Sequence, residues 1–179
     1  MRSFDPADYG PVFAPLLSGD RLRPLDAGMP RREARASLES ATIDAAFAHA
    51  RVADRAAAAA CLAGLWLLHD FLDESHAISQ SIADATGSFW HGIMHRREGD
   101  FSNAKYWFRR VGSHPVLAEL GDSFPELGAP LDPAALVDRC QAAVQSGGPE
   151  AAFCCRVQQL EWERLFDHSS RQATAADRG

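Results

Sequence analysis

Two stretches of the chain carry metal-ligand residue types at the same helical spacing. His69, Asp73 and His76 stand at i, i+4 and i+7, and so do His91, His95 and Glu98. Residues three and four apart share a helix face, so each triplet lines one side of a helix. Leu62, Leu65 and Leu72 fall on the stripe of His69 and His76, which turns that side inward. Two such helices lying antiparallel bring together four imidazoles and two or three carboxylates, a donor set that helical bundles use for iron, manganese or zinc. Glu74 and Asp70, one step round the helix, are candidates for fixing an imidazole tautomer from behind. The spacing is neither the E-x-x-H of ferritin-like di-iron sites nor the H-E-x-x-H of zincins. A structural alternative stands beside this one: an inward histidine often only bonds a backbone carbonyl or a carboxylate, as His69 could with Asp73. Five of the seven histidines (His69, His76, His91, His95 and His114) fall close together in sequence, and His49 and His168 are expected to face solvent.

A second segment has a different chemistry. Arg96, Arg97, Lys105, Arg109 and Arg110 outnumber Glu98 and Asp100, so the chain is locally basic there although its net charge is -6. On a helix starting near Phe101, Asn103, Tyr106 and Arg110 share one face, with Lys105 and Arg109 alongside. Guanidinium forks suit carboxylate or phosphate, so Asn103, Lys105, Tyr106, Arg109 and Arg97 are the candidate contacts for a small anionic ligand. The alternative is a solvated face whose arginines pair with Glu98, Asp100 and Asp122. Of the 18 basic residues 17 are arginine, and Lys105 is the single lysine, beside the single asparagine, Asn103. A lysine is a compact charge whose pKa shifts on burial. For a catalytic role the candidates are therefore Lys105, Tyr106 and Glu74.

These side chains need a scaffold, and 179 residues supply one domain that buries about 70 % of its unfolded surface. The acidic balance argues against a nucleic-acid partner. The longest apolar run, 56–68, falls short of the roughly 20 residues that span a bilayer, and no membrane partner is expected. The first ten residues lack the apolar core of a secretory signal, and Cys61, Cys140, Cys154 and Cys155 show no C-x-x-C spacing. A reduced, cytoplasmic protein is the expectation.

No segment alternates cleanly with period two, so the fold class is all-α: a compact bundle of about six to seven helices. Five of the ten prolines lie in residues 1–30, which predicts an extended Pro-rich arm (1–37) packed on the core through Phe13, Leu16, Leu17, Leu22 and Leu25. A helical domain follows over 38–170, then a flexible tail over 171–179. Within the domain, helices are expected from about Thr42 to Arg51 and from Asp54 to Glu74, the second continuing over Ser75 to Ala85. Thr86 and Gly87 interrupt it, and further helices run from Ser88 to Glu98, from Phe101 to Val111, from Pro133 to Gln145 and from Glu150 to His168. The last has apolar residues (Phe153, Val157, Leu160, Trp162, Leu165 and Phe166) beyond what one face buries, which points to a homodimer through that helix.

Gly92, Gly99, Phe101, Ala104, Phe108, Val111 and Pro115 occur at the spacing of a helical hairpin in which small and large residues interlock. Residues 88–115 thus resemble a single tetratricopeptide or Sel1-type repeat, with His91 and His95 where that pattern has large buried residues. No second copy follows, so a solenoid is not expected. The longer string is similar to a family of helical proteins of bacteria and fungi to which no activity attaches; the resemblance implies a shared fold and a common site. Two functions remain open: a buried His/carboxylate site, metal-dependent, acting on or binding a small anion, and a non-catalytic interaction module whose surface is Phe89, Ile93, Arg96 and Arg97.

Overall fold

The computed structural model describes residues 3–174. Among them are ten α-helices, three short 3-10 turns and no strand, so the all-α expectation holds. In chain order the helices are α1 (Phe13–Leu17), α2 (Arg35–Ser40), α3 (Ile43–Ala46), α4 (Arg55–Leu68), α5 (Leu72–Ser79), α6 (Ala85–Glu98), α7 (Phe101–Val111), α8 (Pro115–Ser123), α9 (Pro133–Ser146) and α10 (Gly148–Thr174). None is long and apolar enough to cross a membrane.

Most helix starts follow from side chains that satisfy the free N–H groups of a first turn. Asp54, Asp84, Asp100 and Asp132 each accept a backbone N–H one turn into α4, α6, α7 and α9. Pro115 and Pro133 open α8 and α9, where a missing N–H costs nothing. Thr86 and Gly87 lie inside α6 rather than before it. Gly87 packs so closely on Ile82 that a Cβ there would stand 2.4 Å from the Ile82 carbonyl oxygen, so this glycine serves an approach between chain segments and does not break the helix.

The expected helix through 54–74 breaks at His69–Phe71. The Phe71 N–H bonds the Trp66 carbonyl, the Asp70 N–H bonds the Leu67 carbonyl, and Asp70 has φ 64°. That is a Schellman cap with aspartate in the left-handed position. Asp tolerates this conformation better than most residues, and its carboxylate is held by Arg97 at 2.7 Å and Arg23 at 3.5 Å. A tertiary ion pair thus ends α4, and α5 leaves in a new direction.

Helix α6 is the axis of the molecule. It packs on α4, α5, α7 and α10, and every side chain from Ser88 to Arg97 is buried. Its buried cations are paired: Arg96 with Glu161 and Gln158 of α10, Arg97 with Asp70 and with the carbonyls of Asp26, Ala27 and Leu67. Phe89, Ile93, Arg96 and Arg97 therefore present no docking surface, and the interaction-module reading loses the patch it rests on.

Several boundaries differ from expectation. The N-terminal arm contains a 3-10 turn and α1, and Tyr9, Phe13, Leu16, Leu17 and Leu25 join the one core, while Leu22 is exposed. Helix α10 continues past His168. Ser169 and Ala173 are buried, and the Ala173 carbonyl accepts the N–H groups of Ala53 and Asp54. So 171–174 is docked helix, and the rest of the expected tail lies outside the described residues. Val157, Trp162, Leu165 and Phe166 are buried in the chain's own core, with Phe153 and Leu160 half-buried against it.

Candidate functional site

Three imidazoles converge where α5 meets α6. His76 sits in the last turn of α5, and His91 and His95 stand one turn apart on α6. Each can offer a ring nitrogen such that all three lie within 4.8 Å of one another. The ring centroids are 4.6 Å apart for His76–His91, 5.4 Å for His76–His95 and 4.6 Å for His91–His95. His91 and His95 are buried and His76 is half-buried, so the group opens towards solvent on the α5 side.

The partners of each ring differ. His95 Nδ1 lies 2.6 Å from Glu98 Oε1, and its Nε2 lies 3.0 Å from Asn103 Nδ2 of α7. With Glu98 ionised, Nδ1 carries the proton and Nε2 the lone pair, to which the Asn103 amide donates. A carboxylate behind the ring is the arrangement that orients metal-binding histidines. His91 Nδ1 is buried without a hydrogen-bond partner, which is unusual for a native protein. Burial, and then the nearby His95 and His76 rings, push the His91 pKa down to about 3, so this imidazole is neutral at pH 7. A neutral imidazole is the form that binds metal.

A fourth element closes the group. Trp107 of α7 stacks on His91 with centroids 4.1 Å apart and planes 22° apart, and Gly92 lets the helices meet, since a Cβ there would stand 3.1 Å from the Phe108 ring. No family model, curated protein or solved structure matches this chain.

Of the six expected metal ligands, His76, His91 and His95 come together. Glu98 is bonded to His95 and, with Asp100, forms a mostly exposed neighbouring group around that ring. His69 does not join. It caps α4, its Nε2 bonds the Leu16 carbonyl at 2.9 Å, and the break after it turns it away from the stripe of His76. Asp73 is exposed and lines a separate cleft of about 480 Å³ with Asp70, Arg32 and Arg35. Glu74 lines the same cleft and pairs with Arg35 at 2.9 Å. His168 is half-buried, not solvent-facing, and its ring centroid lies 4.6 Å from that of His114.

The expected ligand contacts divide in the same way. Asn103 is at the site. Arg97 is spent on Asp70 and the arm carbonyls, buried where no ligand reaches it. Lys105 pairs with Asp138 of α9 and, with Arg109, borders a cleft of about 580 Å³ next to Asp100. Tyr106 is 47 % exposed and lies edge-on to Trp107. Trp107 is not among the expected contacts, and Arg110 shares its expected face with Tyr106 instead. A signal was there: Asn103, Trp107 and Arg110 repeat the i, i+4, i+7 spacing of the histidine triplets on the helix that faces them.

Proposed function

We propose that the protein binds one divalent first-row metal ion through His76, His91 and His95, and that this centre is its functional site. The observation that carries the reading is the convergence of three imidazoles around His91, whose buried Nδ1 has no other partner. Arg96 and Arg97 pair with carboxylates and His95 with Glu98 and Asn103, while His91 Nδ1, like Arg96 Nε and His69 Nδ1, is left without a partner; a buried nitrogen in that state costs about 1–3 kcal/mol unless something binds it.

The donor set narrows the metal. Three imidazoles without a thiolate favour zinc or ferrous iron, and manganese falls behind because it prefers carboxylates. Three protein ligands leave coordination open, and such an ion supplies Lewis acidity to a bound water or substrate oxygen. The chain's own part is to hold the rings. Glu98 orients His95, Trp107 flattens His91 against α7, and the α6 core excludes water from the inner side. Asn103, bonded to His95 Nε2, gives up that contact when a metal takes the lone pair.

Zinc titration of the full chain after removal of divalent ions tests this directly. One saturable site is expected, weakened at least tenfold in His76→Ala and in His91→Ala. His76 is half-buried, so its variant keeps the fold even where removing a buried ring does not. Equal zinc affinity in the wild type and a folded His76→Ala protein overturns the reading.

A further inference from the structure

Four thiols take no part in the imidazole centre, and two of them meet. Helices α9 and α10 form a hairpin through Gly147 and Gly148, both at positive φ (65° and 70°). Cys140 and Cys154 stand seven residues before and after Gly147. At about 1.5 Å of rise per residue, each lies about 10 Å from the turn along its own helix, so the packing of α9 on α10 sets them level. The Arg139–Glu150 ion pair crosses the same hairpin. Cys140 and Cys154 are both buried, and their thiols hydrogen-bond each other. The Cys154 thiol donates to Cys140. That bond, with the Arg96 guanidinium in range and against burial, holds the Cys140 pKa below its ordinary value, and it raises Cys154, the donor. Burial instead pushes Cys61 and Cys155 up. Arg96 is itself fully buried; it spends its terminal nitrogens on Glu161 and Gln158 and leaves Nε without a partner.

We infer that Cys140 and Cys154 are a redox-active dithiol, oxidised by hydrogen peroxide to a disulfide that clasps α9 to α10. It stands apart from the metal reading. Oxidation of this kind needs a thiolate to attack and a neighbouring thiol to resolve the sulfenic acid. The Cys140 thiolate attacks one peroxide oxygen: its S–O bond forms as the O–O bond breaks, and the departing hydroxide takes the Cys154 proton to become water. The Cys154 thiolate then attacks the Cys140 sulfur. The S–S bond forms, the S–O bond breaks, and the hydroxide released is neutralised by the proton that Cys140 gave up on ionising. Two thiols lose two electrons, and one peroxide becomes two waters. Burial restricts the reaction to an oxidant as small as a peroxide. Access comes from the hairpin end, where Gly148 and Pro149 are exposed and local opening is among the least costly motions of a fold.

The test treats the full chain, reduced, freed of reductant and held in chelator so that no metal drives the oxidation, with millimolar hydrogen peroxide. Remaining thiols are alkylated in denaturant, and the chain is cut after its arginines and after Glu150, which separates Cys140 from Cys154 and Cys155. Mass spectrometry should find the two fragments joined from Cys140 to Cys154, lighter by two hydrogens and parted by dithiothreitol, with Cys61 alkylated. Cys155→Ser should form the link as the wild type does, and Cys140→Ser and Cys154→Ser should not. The wild type and Cys155→Ser carry the readout even where a variant at a buried position fails to fold. A link between Cys154 and Cys155, a link from Cys140 that Cys155→Ser abolishes, or Cys140 and Cys154 both still alkylated after peroxide has fully oxidised free cysteine in the same buffer, overturns the inference.

Discussion

His95 Nδ1 and Glu98 Oε1 are 2.6 Å apart, three residues along one helix, and this contact fixes which nitrogen of the His95 ring carries the lone pair. Removing such a carboxylate from behind a ligating histidine costs about 10–100-fold in metal affinity. Glu98→Gln is expected to lower zinc affinity by that factor. Its thermal stability should barely change, since Glu98 is exposed. Unaltered zinc binding in this variant would mean that His95 does not ligate through Nε2.

Asn103 acts in the opposite direction. Its amide lies 3.0 Å from His95 Nε2, so a metal must displace a hydrogen bond worth about 1 kcal/mol. Asn103→Ala is expected to bind zinc about fivefold more tightly, by isothermal titration, since about 1.4 kcal/mol corresponds to tenfold. Weaker binding would show that Asn103 supports the metal rather than competing with it.

Arg97 is a stability residue, not a ligand contact. It joins α6, the end of α4 and the N-terminal arm through Asp70 and three carbonyls. Breaking a buried pair leaves an uncompensated charge and typically costs 3–5 kcal/mol. Arg97→Met should lose about that much in denaturant unfolding, and Arg97→Met with Asp70→Asn should recover part of it. A loss below about 1 kcal/mol, the range of surface pairs, would contradict the assignment.

Acid should destabilise the fold through its buried histidines. Burial, then the His168 ring, lower the His114 pKa to about 4, and burial also lowers His168 and His69. An unfolded histidine titrates near 6.5. Between those two values the unfolded chain binds more protons than the folded one, so stability is highest above about 6.5 and falls as pH drops towards about 4. His114 Nδ1 also accepts the Val116 N–H at the start of α8, 3.3 Å away, and Thr86 Oγ1 lies 3.3 Å from its Nε2. Asparagine keeps a cap at that position, so His114→Asn should flatten the acid limb measured by thermal melting at a series of pH values in chelator. An unchanged acid limb would place the titration elsewhere.

The fold class was legible because helix periodicity, Asp caps and the absence of alternation are local signals. The starts of α7 and α9 follow from Asp100 and Asp132, and Gly99 ends α6 in the left-handed conformation that glycine adopts without strain. The break at Asp70 was not legible. Nothing local distinguishes it, and it depends on Arg97 and Arg23, which reach it from distant parts of the chain. That one break removed His69 from the stripe and left His76 with His91 and His95. The basic residues misled for a related reason. Type and spacing mark Lys105 and Arg97 as available, but availability is decided by neighbours such as Asp138 and Asp70, which only the packed structure brings near.

Metal content reads out whether His76, His91 and His95 hold an ion. The full chain, purified without chelator and with no histidine tag, is analysed by inductively coupled plasma mass spectrometry beside His91→Ala and His95→Ala. About one zinc or iron per chain is predicted for the wild type, as expected of a single three-histidine site, falling to background in both variants. Less than about 0.1 metal per chain in wild-type protein that also fails to take up added zinc or iron, or equal metal in all three proteins, would contradict it.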